Sequence, residues 1–215
     1  MSTKFNLYID PLDQATVYLV GGFYRQRGNL KEVIISEEEL VRRCIANDRH
    51  AQEFLFSKYY NDLYLIAMRY LADHHLAEDA IIQAFTRVFK KLPSYSYQGP
   101  GSLGKWVRTI LINESIRLLR KSTTVQFSED LNYLEIENSE VSGLQNLQAA
   151  DIMRMVEKLP AGYRTVFNLY VVEGFAHKEI AKMLGISENT SKSQLKKARH
   201  QLMNKLTEAR NYGTT

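Results

Sequence analysis

His177-Lys-Glu-Ile-Ala-Lys-Met-Leu-Gly-Ile-Ser-Glu-Asn-Thr-Ser-Lys-Ser-Gln-Leu-Lys196 is the stretch on which the fold of this 215-residue chain turns. It fits a helix-turn-helix position by position. Ile180, Ala181 and Leu184 set one small and two large apolar groups on the inner face of a first helix, and Ala181 is small because a second helix must cross close to it. Gly185 supplies the turn, where a positive φ is usually required. Ile186 plugs the corner and Ser187 can cap the second helix. Ser187, Asn189, Thr190, Lys192, Ser193 and Lys196 stand near the N-terminus of that helix, the end that such motifs insert into the major groove. Asn189, Thr190 and the serines can reach base edges, whereas Lys192, Lys196, Lys197 and Arg199 suit phosphates. An ordinary helical hairpin with a solvated basic face is the competing reading; the Ala-x3-Gly-Ile-Ser spacing together with the charge favours DNA. Two positions fit poorly: Ala176 sits where a capping Ser or Thr is expected, and Ser191 occupies a position usually apolar in this motif.

Upstream, helical periodicity covers residues 150–159 and Tyr163 to Glu173, broken near Leu159-Pro160. Before that, residues 122–148 are polar, acidic and weakly periodic, which is the composition of a linker. The whole chain carries +4, but the charge is segregated: +4 over residues 93–121, −6 over 122–153, where no Lys or Arg occurs, and +6 over 154–215. Basic blocks of this kind are expected of nucleic-acid binders when they fall on the elements that would touch the ligand.

The amino-terminal half repeats the helical pattern. Ser36-Glu37-Glu38-Glu39 reads as a capping box opening a short helix through Leu40, Val41, Cys44 and Ile45. Asp48 can cap a long second helix carrying Phe54, Leu55, Tyr59, Leu63, Ile66, Ala67, Tyr70 and Leu71. A third runs from about His75 to Leu92, with Ala77, Ile81, Ala84, Phe85, Val88 and Phe89 buried. After the Pro- and Gly-rich loop 93–102 comes a fourth, Leu103 to about Arg120. Trp106, at helical spacing from Ile110, is expected to pack inward rather than stack on bases, as are Phe85 and Phe89. No convincing alternating strand pattern follows residue 36. The expected fold is all-α, two small helical modules on an acidic tether.

Several chemistries are excluded. Gly99-Pro-Gly-Ser-Leu-Gly104-Lys105 matches the first seven places of a P-loop, but Trp106 replaces the magnesium-binding hydroxyl and no apolar strand precedes it. His74 and His75 lie about 100° apart on a helix and cannot share a metal as an i, i+4 pair would. No nucleophile–base motif stands out, so no catalytic residue, metal or cofactor is expected. The single Cys44 excludes an intramolecular disulfide framework and suits a reducing cytosol. The one apolar run near the start, Val17 to Phe23, is far short of the ~20 residues that span a membrane, so a cytoplasmic protein without membrane insertion is expected.

The ordered set of motifs is more specific than any one. Ala77-Glu78-Asp79 with Gln83, Phe85 and Phe89 comes first, then Gly101-Ser102-Leu103, Trp106-Val107-Arg108, Asn113 and Leu118-Leu119-Arg120-Lys121. Leu159-Pro160-Ala-Gly-Tyr163-Arg164-Thr-Val166-Phe167 and the helix-turn-helix complete it. In that order they resemble the extracytoplasmic-function subgroup of sigma-70-type sigma factors, over about residues 38–121 and 150–206. The resemblance implies a promoter-recognition subunit whose partners are core RNA polymerase (β′ clamp helices and β flap) and promoter DNA; an anti-sigma factor is a common further partner. Glu78, Asp79, Gln83 and Arg87 would dock on the clamp helices, although Ile82 stands where the family usually has Gln and Gln83 replaces the acid that follows. Gly101, Ser102, Leu103, Arg108, Asn113, Arg117, Arg120 and Lys121 would open and hold the −10 element, and the helix-turn-helix would read the −35 element.

The expected organisation is therefore an extension over 1–36 without assigned role, a region 2-like domain over 37–121, a linker over 122–148, a region 4-like domain over 149–208 and a tail over 209–215. At ~3.3 Å per residue the linker can extend to about 90 Å, beyond the ~70 Å of two DNA turns, so both modules can engage one promoter. Its Glu129, Asp130, Glu135, Glu137 and Glu140 would, by the same resemblance, imitate a nucleic-acid backbone in the polymerase channel; a solubilising tether would look the same. The competing function is a stand-alone helix-turn-helix regulator whose amino-terminal helices sense a signal or dimerise.

Overall fold

The computed structural model describes residues 18–20, 23–26, 29–32, 36–121 and 149–212. The acidic segment 122–148 lies outside them. Eight α-helices are described, four on each side of that segment. In the amino-terminal module α1 spans Glu37–Ile45, α2 Arg49–Leu71, α3 His74–Lys91 and α4 Ser102–Lys121. Each of the first three starts where a short polar side chain takes up free amides. Ser36 Oγ accepts from the Glu39 amide at 3.1 Å, Asp48 from those of His50 and Ala51, and Asp73 from Leu76 at 2.9 Å. The expected capping box at α1 is only half built. The Glu39 carboxylate turns away to a bidentate pair with Arg42, at 2.8 Å on both oxygens.

Helices α2, α3 and α4 pack on one another around Leu55, Leu63, Tyr70, Ile81, Val88, Leu103, Val107 and Leu111. Each fully buried aliphatic side chain contributes roughly 1.5–3 kcal/mol. Trp106 lies at the edge of this core with its ring 4.7 Å from that of Tyr95, and Phe85 is buried, so the aromatics face inward as expected.

The carboxy-terminal module comprises α5 (Ala149–Glu157), α6 (Ala161–Phe167), α7 (His177–Leu184) and α8 (Glu188–Tyr212). Helix α8 thus runs past the expected boundary at 208. A π turn, Asn168–Val172, prolongs α6 and closes with the Glu173 amide on the Asn168 carbonyl at 3.0 Å. The extra residue in this turn keeps Asn168 and Leu169 buried while Tyr170 and Val171 are exposed.

Alongside the all-α body, residues 18–32 form an antiparallel meander of β1 (Tyr18–Val20), β2 (Phe23–Gln26) and β3 (Asn29–Glu32), with β1 against α2. Val20 pairs with Phe23 and Gln26 with Asn29. The extension to which the sequence assigns no role therefore contains a small sheet.

One apolar core runs through both modules. It passes from Leu40, Leu55 and Val107 to Val156, Val166, Ile180 and Leu195, and α5 and α6 sit on the carboxy-terminal part of α2.

Candidate nucleic-acid interface

The helix-turn-helix is built as its sequence demands. Gly185 adopts φ 65°, and the Ile186 amide turns back to the Ala181 carbonyl at 3.1 Å. The missing cap at Ala176 is replaced from the other side: the Glu179 carboxylate accepts the Ala176 amide at 2.8 Å. Ser191, where an apolar residue is usual, is fully buried and bonded to His177 Nδ1 at 2.9 Å. The polar group is tolerated because it has a partner.

On α8 the Ser187 hydroxyl accepts the Thr190 amide at 3.0 Å and contacts the Thr190 hydroxyl at 2.8 Å. Thr190 is only 5 % exposed, which corrects its expected role as a base reader: its hydroxyl belongs to the cap, and the side chain faces the core. Asn189, Lys192, Lys196 and Arg199 are exposed and Ser193 and Lys197 half-buried. Lys192 pairs with Glu188 at 2.8 Å, Lys197 lies over the Tyr163 ring and Arg199 over that of Tyr170, which stacks on His177. Burial, and then the cations Lys192 and Arg199 against the opposing Glu188, holds the His177 imidazole below its ordinary range.

The loop before α4 is fixed by backbone freedom and one carboxylate. Gly99 and Gly101 take φ of 103° and 80°, and the Gly101 amide donates to Glu37 Oε2 at 2.9 Å. Ser102 Oγ donates to the Gly99 carbonyl at 2.7 Å and meets the Tyr95 hydroxyl at the same distance. Leu103 is 0 % exposed, so it is a core residue and is withdrawn from the −10 set. Along α4, Asn113 is exposed with its amide on the Thr109 carbonyl at 2.9 Å, and Lys121 is exposed at the end.

Buried Glu114, the one acid among the bases of 93–121, organises the contact between α3 and α4. It pairs with Arg87 on one oxygen and with Arg117 Nε at 2.8 Å on the other. Arg117 also meets Gln83. Two of the four expected docking residues, Gln83 and Arg87, are thus engaged across the helix pair, whereas Glu78 and Asp79 project from α3 as exposed side chains.

The remaining arginines cross between modules. Arg164 Nε donates to the Tyr70 carbonyl at 2.9 Å and an Nη to that of Leu71 at 3.2 Å. Its other Nη reaches the carbonyls of Glu157 and Leu159. One guanidinium therefore finishes the C-terminus of α2 and the turn after α5 together. Asn168 adds its amide to the Arg69 carbonyl at 2.8 Å. Glu173, its side chain 7 % exposed, accepts from Arg108 through both oxygens at 2.8 Å and from Arg69 at 3.3 Å. Arg120 donates to the Met183 carbonyl at 2.7 Å. Pairing with Glu173 raises the Arg108 pKa further, so that guanidinium is permanently charged. Sequence reasoning missed Glu173, Asn168 and Glu37, whose partners lie 64 or more residues away.

A four-helix body joined to a helix-turn-helix, with cations on both, defines a two-module DNA-binding protein. Comparison with known families is specific within that class. Residues 55–124 match the sigma-70 region 2 model and residues 149–202 the sigma-70 region 4 model. The ECF RNA polymerase sigma factor SigM of Bacillus subtilis is 28% identical over 69% of this chain and 90% of its own length. The ECF RNA polymerase sigma-E factor of Escherichia coli is 24% identical over 80% and 95%. Among solved structures, the sigma factor RpoE in complex with the anti-sigma factor NepR from Bartonella quintana aligns at TM-score 0.44 and 25% identity, over 73% of this chain and 95% of that one. The chain belongs to the sigma-70 family, in its extracytoplasmic-function subgroup. It is a transcription initiation factor that binds core RNA polymerase, recognises −35 and −10 promoter elements and melts the −10 region. Among the described residues, no helix is long and apolar enough to cross a membrane and no group of three or more His, Cys, Asp or Glu could hold a metal ion.

Proposed function

We propose a residue-level division of this activity. Helix α8 enters the −35 major groove with Asn189 and Ser193 toward base edges and Lys192, Lys196, Lys197 and Arg199 on phosphates. The loop at Gly101 and Ser102, with Asn113, takes the −10 bases, and Arg108, Arg117, Arg120 and Lys121 hold the backbone of the opened strand. Glu78 and Asp79 lead the docking on the polymerase β′ clamp helices, with the carboxy-terminal module on the β flap. In this reading the chain works in the cytoplasm as a binding subunit, with no catalytic group of its own.

One observation carries the −35 assignment. Residue by residue, α8 separates an outward set, Asn189, Lys192 and Lys196, from an inward one, Thr190, Ser191, Gln194, Leu195 and Ala198. The side facing away from the protein core is the polar and basic one, as major-groove readers require. Melting takes bases out of the stack, and a glycine loop lets backbone approach them closely.

The test reconstitutes the chain with bacterial core enzyme on a promoter library. Asn189→Ala should relax base preference in the −35 element. Lys192→Ala should leave preference intact and flatten the slope of log K against log salt by about 0.9. A sequence-independent loss for Asn189→Ala contradicts the assignment. Specific duplex binding without core enzyme, and no transcripts with it, returns the chain to the stand-alone regulator class.

A further inference from the structure

We propose that Glu37 is the positioning residue of the −10 loop: from the first turn of α1 it holds the turn 99–102 in the shape that receives a base. This rests on the reading above that the loop takes −10 bases. The loop is held in two ways. One is internal. The Ser102 hydroxyl donates to the Gly99 carbonyl at 2.7 Å, so it accepts from the Tyr95 hydroxyl at 2.7 Å and from the Gln98 amide at 3.3 Å. Its one hydrogen and both lone pairs are then in use, and Ser102 shapes the loop rather than touching a base. The other hold is Glu37. Its Oε2 accepts the Gly101 amide, 64 residues along the chain, at 2.9 Å, and its Oε1 accepts from the Tyr59 hydroxyl at 3.4 Å. Burial, and then the Glu37 charge, keeps the Tyr59 phenol above its ordinary range, so it stays a donor. The Tyr59 ring lies against the start of α4, where a Cβ on Gly104 would stand 3.1 Å from it. One carboxylate thus joins α1, α2 and the entry to α4.

The joint matters because of what surrounds the glycines. Gly99 and Gly101 hold φ of 103° and 80°, and a Cβ added to either would meet nothing within 4 Å. The outward side of the turn is open to an incoming nucleotide, and glycines in open space sample many conformations unless something fixes them. A loop that is competent only part of the time binds more weakly by that fraction. Glu37 supplies the fixed point. Helix α1 is anchored by its Ser36 cap and by buried Leu40, Val41 and Cys44, and a charged acceptor makes a bond about twice as strong as a neutral one. Glu37 acts on melting through the loop, without touching a base.

The test uses holoenzyme assembled from the full chain and bacterial core enzyme. Its templates are a promoter selected from the library and versions of it with an abasic site at each −10 non-template position in turn. Permanganate reactivity of unpaired thymines reads opening, and a duplex bearing the −35 element alone reads binding. In the unaltered chain one abasic position should lower opening. Glu37→Ala should lower opening on the intact promoter about tenfold, and Glu37→Gln about threefold, with −35 binding unchanged. On the promoter abasic at that position both losses should shrink below about twofold, because loop and base act as one unit. Glu37→Asp separates the loop from α1. It keeps the charge in the first turn but falls one methylene short of Gly101, so it should match Glu37→Ala. The Gly101 amide should be protected from hydrogen exchange in the unaltered chain and exchange faster in all three variants. If Glu37→Ala fails to fold, Glu37→Gln and Glu37→Asp carry the comparison. Equal losses with and without the base, or full opening by Glu37→Asp, overturn the positioning role. If no abasic position affects the unaltered chain, the assignment of the loop to −10 bases falls first, and the role of Glu37 with it.

Discussion

The two modules build their parts of the common core by different means. Among the described residues, the amino-terminal core buries only Glu114 and Ser115 as polar groups. The smaller carboxy-terminal core buries Arg164, Thr165, Asn168, Thr190, Ser191 and Gln194. Packing of Leu55, Ile81, Val88 and Leu111 is non-directional and tolerates exchange among side chains of equal volume. The carboxy-terminal core is tied by hydrogen bonds that need particular atoms at particular distances, and two of those of Arg164 and one of Asn168 end on α2. The carboxy-terminal module borrows acceptors from its neighbour.

That contrast can be broken or sharpened by substitution. Leu55, 0 % exposed, should lose about 4 kcal/mol as Leu55→Ala but under about 1.5 kcal/mol as Leu55→Met, read from urea unfolding of the amino-terminal transition. Arg164 should show the opposite pattern. Arg164→Ala should lose about 3 kcal/mol, and Arg164→Lys about 2 kcal/mol, since an ammonium cannot serve four carbonyls in two directions. If Lys replaces Arg164 without loss, the directional account of this core is wrong. Ser187→Ala should cost about 1 kcal/mol in the carboxy-terminal transition, since it removes the α8 cap and leaves the buried Thr190 hydroxyl without that partner. The smallest effect is the pH dependence. With the folded His177 pKa below its usual 6.5, its contribution is complete above pH 6.5 and is lost as pH falls through the folded value. Acid titration of the unfolding midpoint should show this decline, and His177→Gln should flatten it.

Much of this was legible locally. Helix starts at Ser36 and Asp48, the glycine at 185 and the apolar stripes of α2 to α4 follow from spacing and turn chemistry, because each depends on residues within a few positions. The burial of Thr190 was readable too: stepping back four residues from Ala198 gives Gln194, and four more gives Thr190, all on the inner side. Leu103 belonged to the same core stripe as Val107 and Ile110. The meander over 18–32 had a signal in Gly21-Gly22 between Tyr18-Leu19-Val20 and Phe23-Tyr24, overlooked because three- and four-residue strands are too short for alternation to register. The junction had none. A glutamate that meets arginines 65 and 104 positions away leaves no periodic trace, and nothing around Val172-Glu173-Gly174 distinguishes it from a solvated turn. Glu114, alone among bases, was the one long-range organiser that composition could have flagged.

The completion of α2 by Arg164 has a consequence in time. The Tyr70 carbonyl is synthesised 94 residues before the side chain that binds it. At ~5–20 residues per second the amino-terminal module waits roughly 5–20 s with that helix end facing water. Until Arg164 and Glu173 are made, the carbonyls at the end of α2 lack the guanidinium that binds them, and Arg69 and Arg108 lack the carboxylate that pairs with them.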